Sequence, residues 1–182
     1  MIKIDKNWTL FLDRDGVINE RIPKGYVMEP DQLVLEVAVA DAIAEFNQLF
    51  ARVVVVTNQQ GIGKGLMTSE QLDTVHEKLR SELAASGAYV DGIYYCPELA
   101  DSGSKCRKPE GGMAMQAKAD FPEIDFSKSI MVGDTITDLQ FGKRLGMKTI
   151  FIRTELEEQT AEVDELSDEI IDWLKDVLMV IS

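Results

Sequence analysis

The chain has 182 residues, enough for a single domain that buries a core without help from disulfides. A formal charge of −13 excludes a general nucleic-acid binder, although a few placed cations can still hold a small anionic substrate. Cys96 and Cys106 are too few for a disulfide scaffold, and no secretory leader or membrane-length apolar run stands out. The expectation is a cytoplasmic protein with reduced thiols that touches neither nucleic acid nor membrane.

In chain order, the short apolar runs are Trp8–Leu12, Val53–Val56, Val90–Tyr95, Ile130–Val132 and Thr149–Ile152. None alternates cleanly, as expected of strands buried on both faces of a parallel sheet. Helical spacing fills the gaps. Val39, Ile43 and Phe46 share a face. Leu72, Val75, Leu79 and Leu83 share another, after a possible capping box at Thr68-Ser69-Glu70-Gln71. Met113, Met115 and Ala117 are assigned to a helix that Pro109 opens near its first turn. The stretch from Glu155 to Glu169 is acidic and reads as solvated loop. Beyond it, Ile170, Ile171, Trp173, Leu174, Val177 and Leu178 form a stripe that docks on the core, as an edge strand and then a helix. This alternation predicts an α/β fold, a Rossmann-like doubly wound parallel sheet with its ligand site at the strands' carboxyl ends.

Chemistry concentrates at those ends. Phe11-Leu12-Asp13-Arg14-Asp15-Gly16 places two carboxylates directly after a buried strand, where they can divide the work of nucleophile and general acid/base around a divalent cation. The bland alternative for this motif alone is an acidic turn. Thr57 and Asn58 end the second run, Arg107 and Lys108 precede a helix, and Gly133-Asp134-Thr135-Ile136-Thr137-Asp138 closes the fourth run with two more acids. Together these residues form the set that phosphoryl transfer needs. Gly61-Ile62-Gly63-Lys64-Gly65 fits neither the Walker A nor the dinucleotide template and reads as a mobile loop beside the substrate. His76, the only histidine, falls beside its helix's apolar stripe and is read as exposed or at the boundary, without a catalytic role.

These segments resemble, in order and over about residues 8 to 153, the four motifs of the haloacid dehalogenase (HAD) superfamily. Within it they resemble subfamily IIIA, the D-glycero-D-manno-heptose 1,7-bisphosphate 7-phosphatases, with histidinol-phosphate phosphatases as near relatives. Supporting stretches include Gly25-Tyr26-Val27, Thr57-Asn58-Gln59-Gln60-Gly61 and Cys106-Arg107-Lys108-Pro109. The resemblance implies a capless hydrolase with Asp13 as nucleophile, Asp15 as general acid/base, and Thr57 and Lys108 on the phosphoryl oxygens. Asn58, Gln59, Gln60 and Arg107 are implied to contact substrate. Mg²⁺ is implied between the carboxylates of Asp13 and Asp134 and the main-chain carbonyl of Asp15, with Asp138 bracing the metal loop. The implied substrate is a small phosphorylated sugar of lipopolysaccharide biosynthesis, handled by a monomer. The runner-up substrate is histidinol phosphate or another small monoester, and a catalytically dead binding module is the alternative of another class. The family's structural zinc is not expected, because only Cys96 and Cys106 remain of its four ligands, with Glu98 and Ser104 in place of the others.

Overall fold

The computed structural model of the chain describes residues 1–154 and 159–182. Six parallel strands form one sheet in the order β3-β2-β1-β4-β5-β6: β1 (Thr9–Leu12), β2 (Arg52–Asn58), β3 (Gly92–Cys96), β4 (Ser129–Gly133), β5 (Lys148–Ile152) and β6 (Glu169–Ile171). The helices are α1 (Val39–Leu49), α2 (Gln60–Gly63), α3 (Ser69–Ala85), α4 (Gly112–Asp120), α5 (Ile136–Leu145), α6 (Ala161–Leu166) and α7 (Val177–Val180). Each of the five predicted runs supplies a strand, with ends moved by one or two residues.

The absence of polar alternation has its explanation in the two faces. Leu10, Leu12, Val53, Val55, Ile130 and Val132 bury on one face with Val39, Ile43 and Phe46 of α1 and Val75, Leu79 and Leu83 of α3. The intervening Phe11, Val54, Val56 and Met131 bury on the other with Met113, Ala114 and Ala117 of α4 and Phe141 of α5. Successive strand residues point to opposite faces, so a sheet covered on both sides must be apolar at every position. The predicted capping box opens α3: Thr68 Oγ1 accepts from the Gln71 N–H, and Gln71 Oε1 accepts from the Thr68 N–H.

Several expectations are corrected. Helix α4 begins at Gly112 rather than near Pro109, because Glu110 and Gly112 first donate back to the carbonyls of Arg107 and Lys105 in a turn. Met115 is exposed on that helix while Met113 and Ala117 face the core. The short helix α2, from Gln60 to Gly63, takes up the first half of the Gly61–Gly65 loop. In the acidic stretch, Glu155 to Glu158 lie outside the described residues, and the rest is largely ordered. Thr160 caps α6, Val163 packs against Leu139 and Phe151, and β6 pairs with β5. Trp173 stays half exposed, whereas Ile171, Leu174 and Val177 are buried.

Strand order reverses at β1, which pairs with β2 on one side and β4 on the other. A crevice must open above such a switch point, because the chains leaving β1 and β4 turn to opposite faces. The connections from β1 to α1 and from β3 to α4 carry no inserted domain. No helix among the described residues is long and apolar enough to cross a membrane.

Candidate active site

Above the switch point lies a cavity of about 440 Å³, lined among others by Asp13, Asp15, Thr57, Asn58, Gln60, Arg107, Lys108, Asp134 and Asp138. Of the residues expected to act in catalysis, substrate contact or metal binding, only Gln59 is absent from the lining. Asp13 is the first residue beyond β1, and its N–H donates to Val132 O of β4, which pins it over the crevice. Asp134 is the first residue beyond β4. The two approach because Gly16, at φ +87°, turns the chain sharply and has no Cβ; one built there would collide with the Asp134 carboxylate. Gly133 is required for a similar reason: its missing side chain is the space that Asp138 occupies.

Lys108 is the charge at the centre. Its buried ammonium donates to Val56 O at 2.8 Å and forms ion pairs with Asp13 Oδ1 at 2.9 Å and Asp138 Oδ1 at 2.6 Å. Burial alone would lower its pKa, but the two carboxylates hold it above the usual lysine value. Asn58 sets the height of Lys108: its Oδ1 accepts from the Lys108 N–H at 3.0 Å, and its Nδ2 donates to the Lys108 carbonyl at 3.3 Å. The amide expected to touch substrate is therefore committed to bracing the lysine.

Gln59 differs from expectation in the same way. It is buried beneath the cavity, where Nε2 donates to Thr57 Oγ1 at 2.8 Å and to Asp15 Oδ2 at 3.0 Å. Asp15 also accepts from Arg14 through both oxygens and from Asn19 Nδ2 at 2.9 Å. Burial works to raise its pKa, but Arg14, Asn19 and Gln59 outweigh it and hold the carboxyl below the usual range. Asp13 and Asp134 go the other way. Burial first, and mutual repulsion with Asp138 among the other causes, push them up to about 6 and about 8.

Ligand atoms of Asp13, Asp134 and Asp138 lie within 4.8 Å of one another, and Asp134 Oδ1 is buried with no hydrogen-bond partner among the described residues. A buried orphan oxygen in a cluster of crowded carboxylates fits a hard divalent cation such as Mg²⁺. Within the cluster, Asp138 is the most engaged. Its Oδ2 accepts from the Thr135 N–H and hydroxyl, closing the N-terminal turn of α5, while Oδ1 meets Lys108.

Arg21, which no sequence motif marked, also faces the cavity and reaches Asp134 Oδ2 at 3.3 Å, while Lys64, from the loop expected beside the substrate, donates to the Tyr26 hydroxyl at 2.8 Å. Arg107 lines the cavity and donates to the Glu98 carbonyl at 3.3 Å. Two expectations are overturned nearby. His76 is buried, with its ring against Tyr95 and Nε2 3.1 Å from Arg14 Nη1. Cys96 and Cys106, expected as free thiols, are joined in a disulfide. Asn58 pairs with Cys96 in the sheet and braces Lys108 through its side chain, which brings residue 106 back over the end of β3 with a Cα separation of 5.5 Å.

Comparison with known proteins places this geometry. The HAD-hydrolase-like family model matches residues 105–177. D-glycero-beta-D-manno-heptose-1,7-bisphosphate 7-phosphatase of Salmonella typhi is 38% identical over 176 residues, covering 92% of each chain. The chain belongs to this phosphatase family of HAD-like hydrolases. A Mycobacterium tuberculosis family member, named for the alpha anomer, is 38% identical over 133 residues, 73% of this chain and 70% of its own. The crystal structure of D,D-heptose 1.7-bisphosphate phosphatase from B. bronchiseptica, complexed with magnesium and phosphate, superposes with a TM-score of 0.80. It is 29% identical and covers 99% of this chain and 97% of its own. As a family member, this chain is a HAD-type phosphoric monoester hydrolase.

Proposed function

We propose that the protein removes the carbon-7 phosphate of D-glycero-D-manno-heptose 1,7-bisphosphate by way of an aspartyl-phosphate on Asp13. The observation that carries this is the Asp13 carboxylate, facing the cavity at the end of β1 with the Lys108 ammonium 2.9 Å away. An anionic oxygen beside a fixed cation can approach a phosphate dianion that it would otherwise repel.

In the first step an Asp13 oxygen attacks phosphorus in line, the bond from phosphorus to the C7 oxygen breaks, and Asp15 protonates the departing alkoxide. In the second, the Asp15 carboxylate takes a proton from water, which attacks phosphorus and frees Asp13 and inorganic phosphate. Asp15 begins as the anion that the second step requires, since Arg14, Asn19 and Gln59 favour its charged form. Approach of a phosphate dianion favours the protonated form needed first. Thr57 and Lys108 hold the transferring oxygens, and Gln59 holds Thr57 and Asp15 in one frame. Mg²⁺, held by the carboxylates of Asp13 and Asp134 and the Asp15 carbonyl, would neutralise charge on the phosphoryl group.

The substrate follows from the relatives' names and from the cations farther out. Arg107 and Lys64 line the cavity beyond Lys108, where a second phosphate on the same sugar would reach. Cytoplasmic action on a lipopolysaccharide precursor fits this substrate. The deciding experiment is a kinetic screen of sugar mono- and bisphosphates beside histidinol phosphate, with Mg²⁺ present. The heptose bisphosphate should have the highest kcat/KM, and faster turnover of histidinol phosphate would refute the assignment.

A further inference from the structure

Arg14 lies between the two catalytic aspartates in sequence, yet its side chain has no exposure at all and does not line the cavity. Its Nη2 donates to both carboxylate oxygens of Asp15, at 2.9 and 3.0 Å. Its Nη1 meets His76 Nε2 at 3.1 Å. A guanidinium can only donate, so Nε2 is the acceptor and the neutral ring carries its proton on Nδ1. The ring keeps that form at any working pH, because burial first, then Arg14 and Arg80, bring its pKa down to about 3. His76 is itself fixed by two elements that carry none of the reacting groups. It sits on the buried side of α3, and its ring lies 6.1 Å from that of Tyr95 on β3, tilted by 57°.

We propose that His76 is a positioning residue for the phosphatase reaction: by accepting from Nη1 it fixes the roll of the Arg14 guanidinium, and through it the Asp15 carboxylate that serves the leaving group. A planar guanidinium held only by Asp15 can turn about its own bonds and carry the carboxylate with it. Held at the opposite corner by a buried ring packed against Tyr95, it becomes a strut. Asn19 and Gln59 hold Asp15 from other sides, but each is a single neutral contact. A bland alternative is that His76 merely satisfies a buried cation and matters only for folding.

The two readings separate by leaving group, a comparison that rests on the phosphatase reading above. A sugar alkoxide needs a proton to depart, whereas p-nitrophenolate needs little, so a misplaced Asp15 slows only the first. In both cases kcat/KM covers the steps up to phosphorylation of Asp13. His76→Leu should lower kcat/KM for the heptose bisphosphate about tenfold, a fraction of what a general acid supplies, and for p-nitrophenyl phosphate by less than about threefold. His76→Gln, whose amide oxygen reaches the place of Nε2, should restore the sugar phosphate rate to within about threefold of wild type. If the leucine protein does not fold, His76→Asn, one bond too short to reach Nη1, takes its place in the same comparison. Equal losses on both substrates, no loss on either, or no restoration by glutamine would overturn the proposal. If the wild-type protein hydrolyses p-nitrophenyl phosphate and glycerol 3-phosphate but not the heptose bisphosphate, the substrate assignment fails alone, and glycerol 3-phosphate decides the His76 question. A wild-type protein that hydrolyses none of the three would end both.

Discussion

Lys108 and Asp13 form an ion pair at 2.9 Å in which the lysine side chain is 2% exposed and the aspartate 13%. The same ammonium touches Asp138 at 2.6 Å, so it is the only cation within ion-pair distance of either carboxylate among the described residues. Lys108→Met keeps the stem but deletes the charge. It should cut kcat by at least about a hundredfold, as the loss of an oxyanion donor does. It also leaves two buried carboxylates without a counter-ion, a change that costs about 3–5 kcal/mol in comparable buried pairs. Urea unfolding beside a phosphate-release assay measures both, and a fully active Lys108→Met protein would remove the lysine from the mechanism.

Asp13→Asn retains the hydrogen bond of 2.7 Å from the Arg14 N–H and loses only the anionic attacking oxygen. It should fold and show no turnover. Asp15→Asn should also be inactive, but mass spectrometry of the protein quenched in acid should find phosphate on Asp13, because the hydrolytic step depends most on the base. Turnover in a deamidation-free Asp13→Asn preparation would contradict the nucleophile assignment.

How much of this was legible in the sequence depends on whether the signal was local. Asp13, Asp15 and Gly16 sit directly after a buried run, and Thr57 and Asp134 end runs of their own, so their convergence follows from parallel strands alone. His76 was misread because helical periodicity sees only α3. What buries it is Arg14, sixty-two positions away in sequence, and a cation inside a core is not something periodicity announces. The substrate contacts of Asn58 and Gln59 came only with the family resemblance. Their amides face Lys108 and Asp15, a distinction of a single side-chain rotation. Helix α6 was hidden because one buried residue, Val163, anchors it within an otherwise acidic segment.

Magnesium should stabilise the fold more as pH rises. Asp13 and Asp134 have folded pKa values raised to about 6 and about 8, above the unfolded 3.8. The folded state therefore holds more protons than the unfolded chain across that window, and the contribution of this pair to stability falls as pH climbs through it. A divalent cation replaces those protons, so its binding strengthens with pH. The gain in Tm from millimolar Mg²⁺ should be small at about pH 5 and several degrees at about pH 8.5. A gain that shrinks with rising pH would exclude these carboxylates as the site.

The Cys96–Cys106 disulfide closes a short loop, the residues being 10 apart in sequence. Chain-entropy arguments give such a crosslink about 2–3 kcal/mol. Reduction, or the double change to serine, should lower the urea midpoint accordingly. Because Cys106 immediately precedes Arg107 and Lys108, it should also raise KM more than it lowers kcat. Identical unfolding curves with and without reductant would show that the loop is held by other contacts.

Arg107 offers the sharpest test of what is cut. It stands next to Lys108 on the cavity wall, half buried, with a planar fork suited to a second phosphate. Its hydrogen bond to the Glu98 carbonyl, at 3.3 Å, is a long one that a dianion would displace at little cost. With no domain inserted after β1 or β3 among the described residues, the site must recognise its substrate through such rim groups. Arg107→Ala should therefore lower kcat/KM for the heptose 1,7-bisphosphate by roughly 10–100-fold, the loss of one charge-assisted contact of ~1.5–3 kcal/mol. Heptose 7-phosphate and p-nitrophenyl phosphate lack the second phosphate and should change little, so the preference for the bisphosphate should collapse in this variant. Equal losses on all three would assign Arg107 to the transferred phosphate or to the fold, and an unchanged preference would move recognition to Lys64 and its Tyr26 partner.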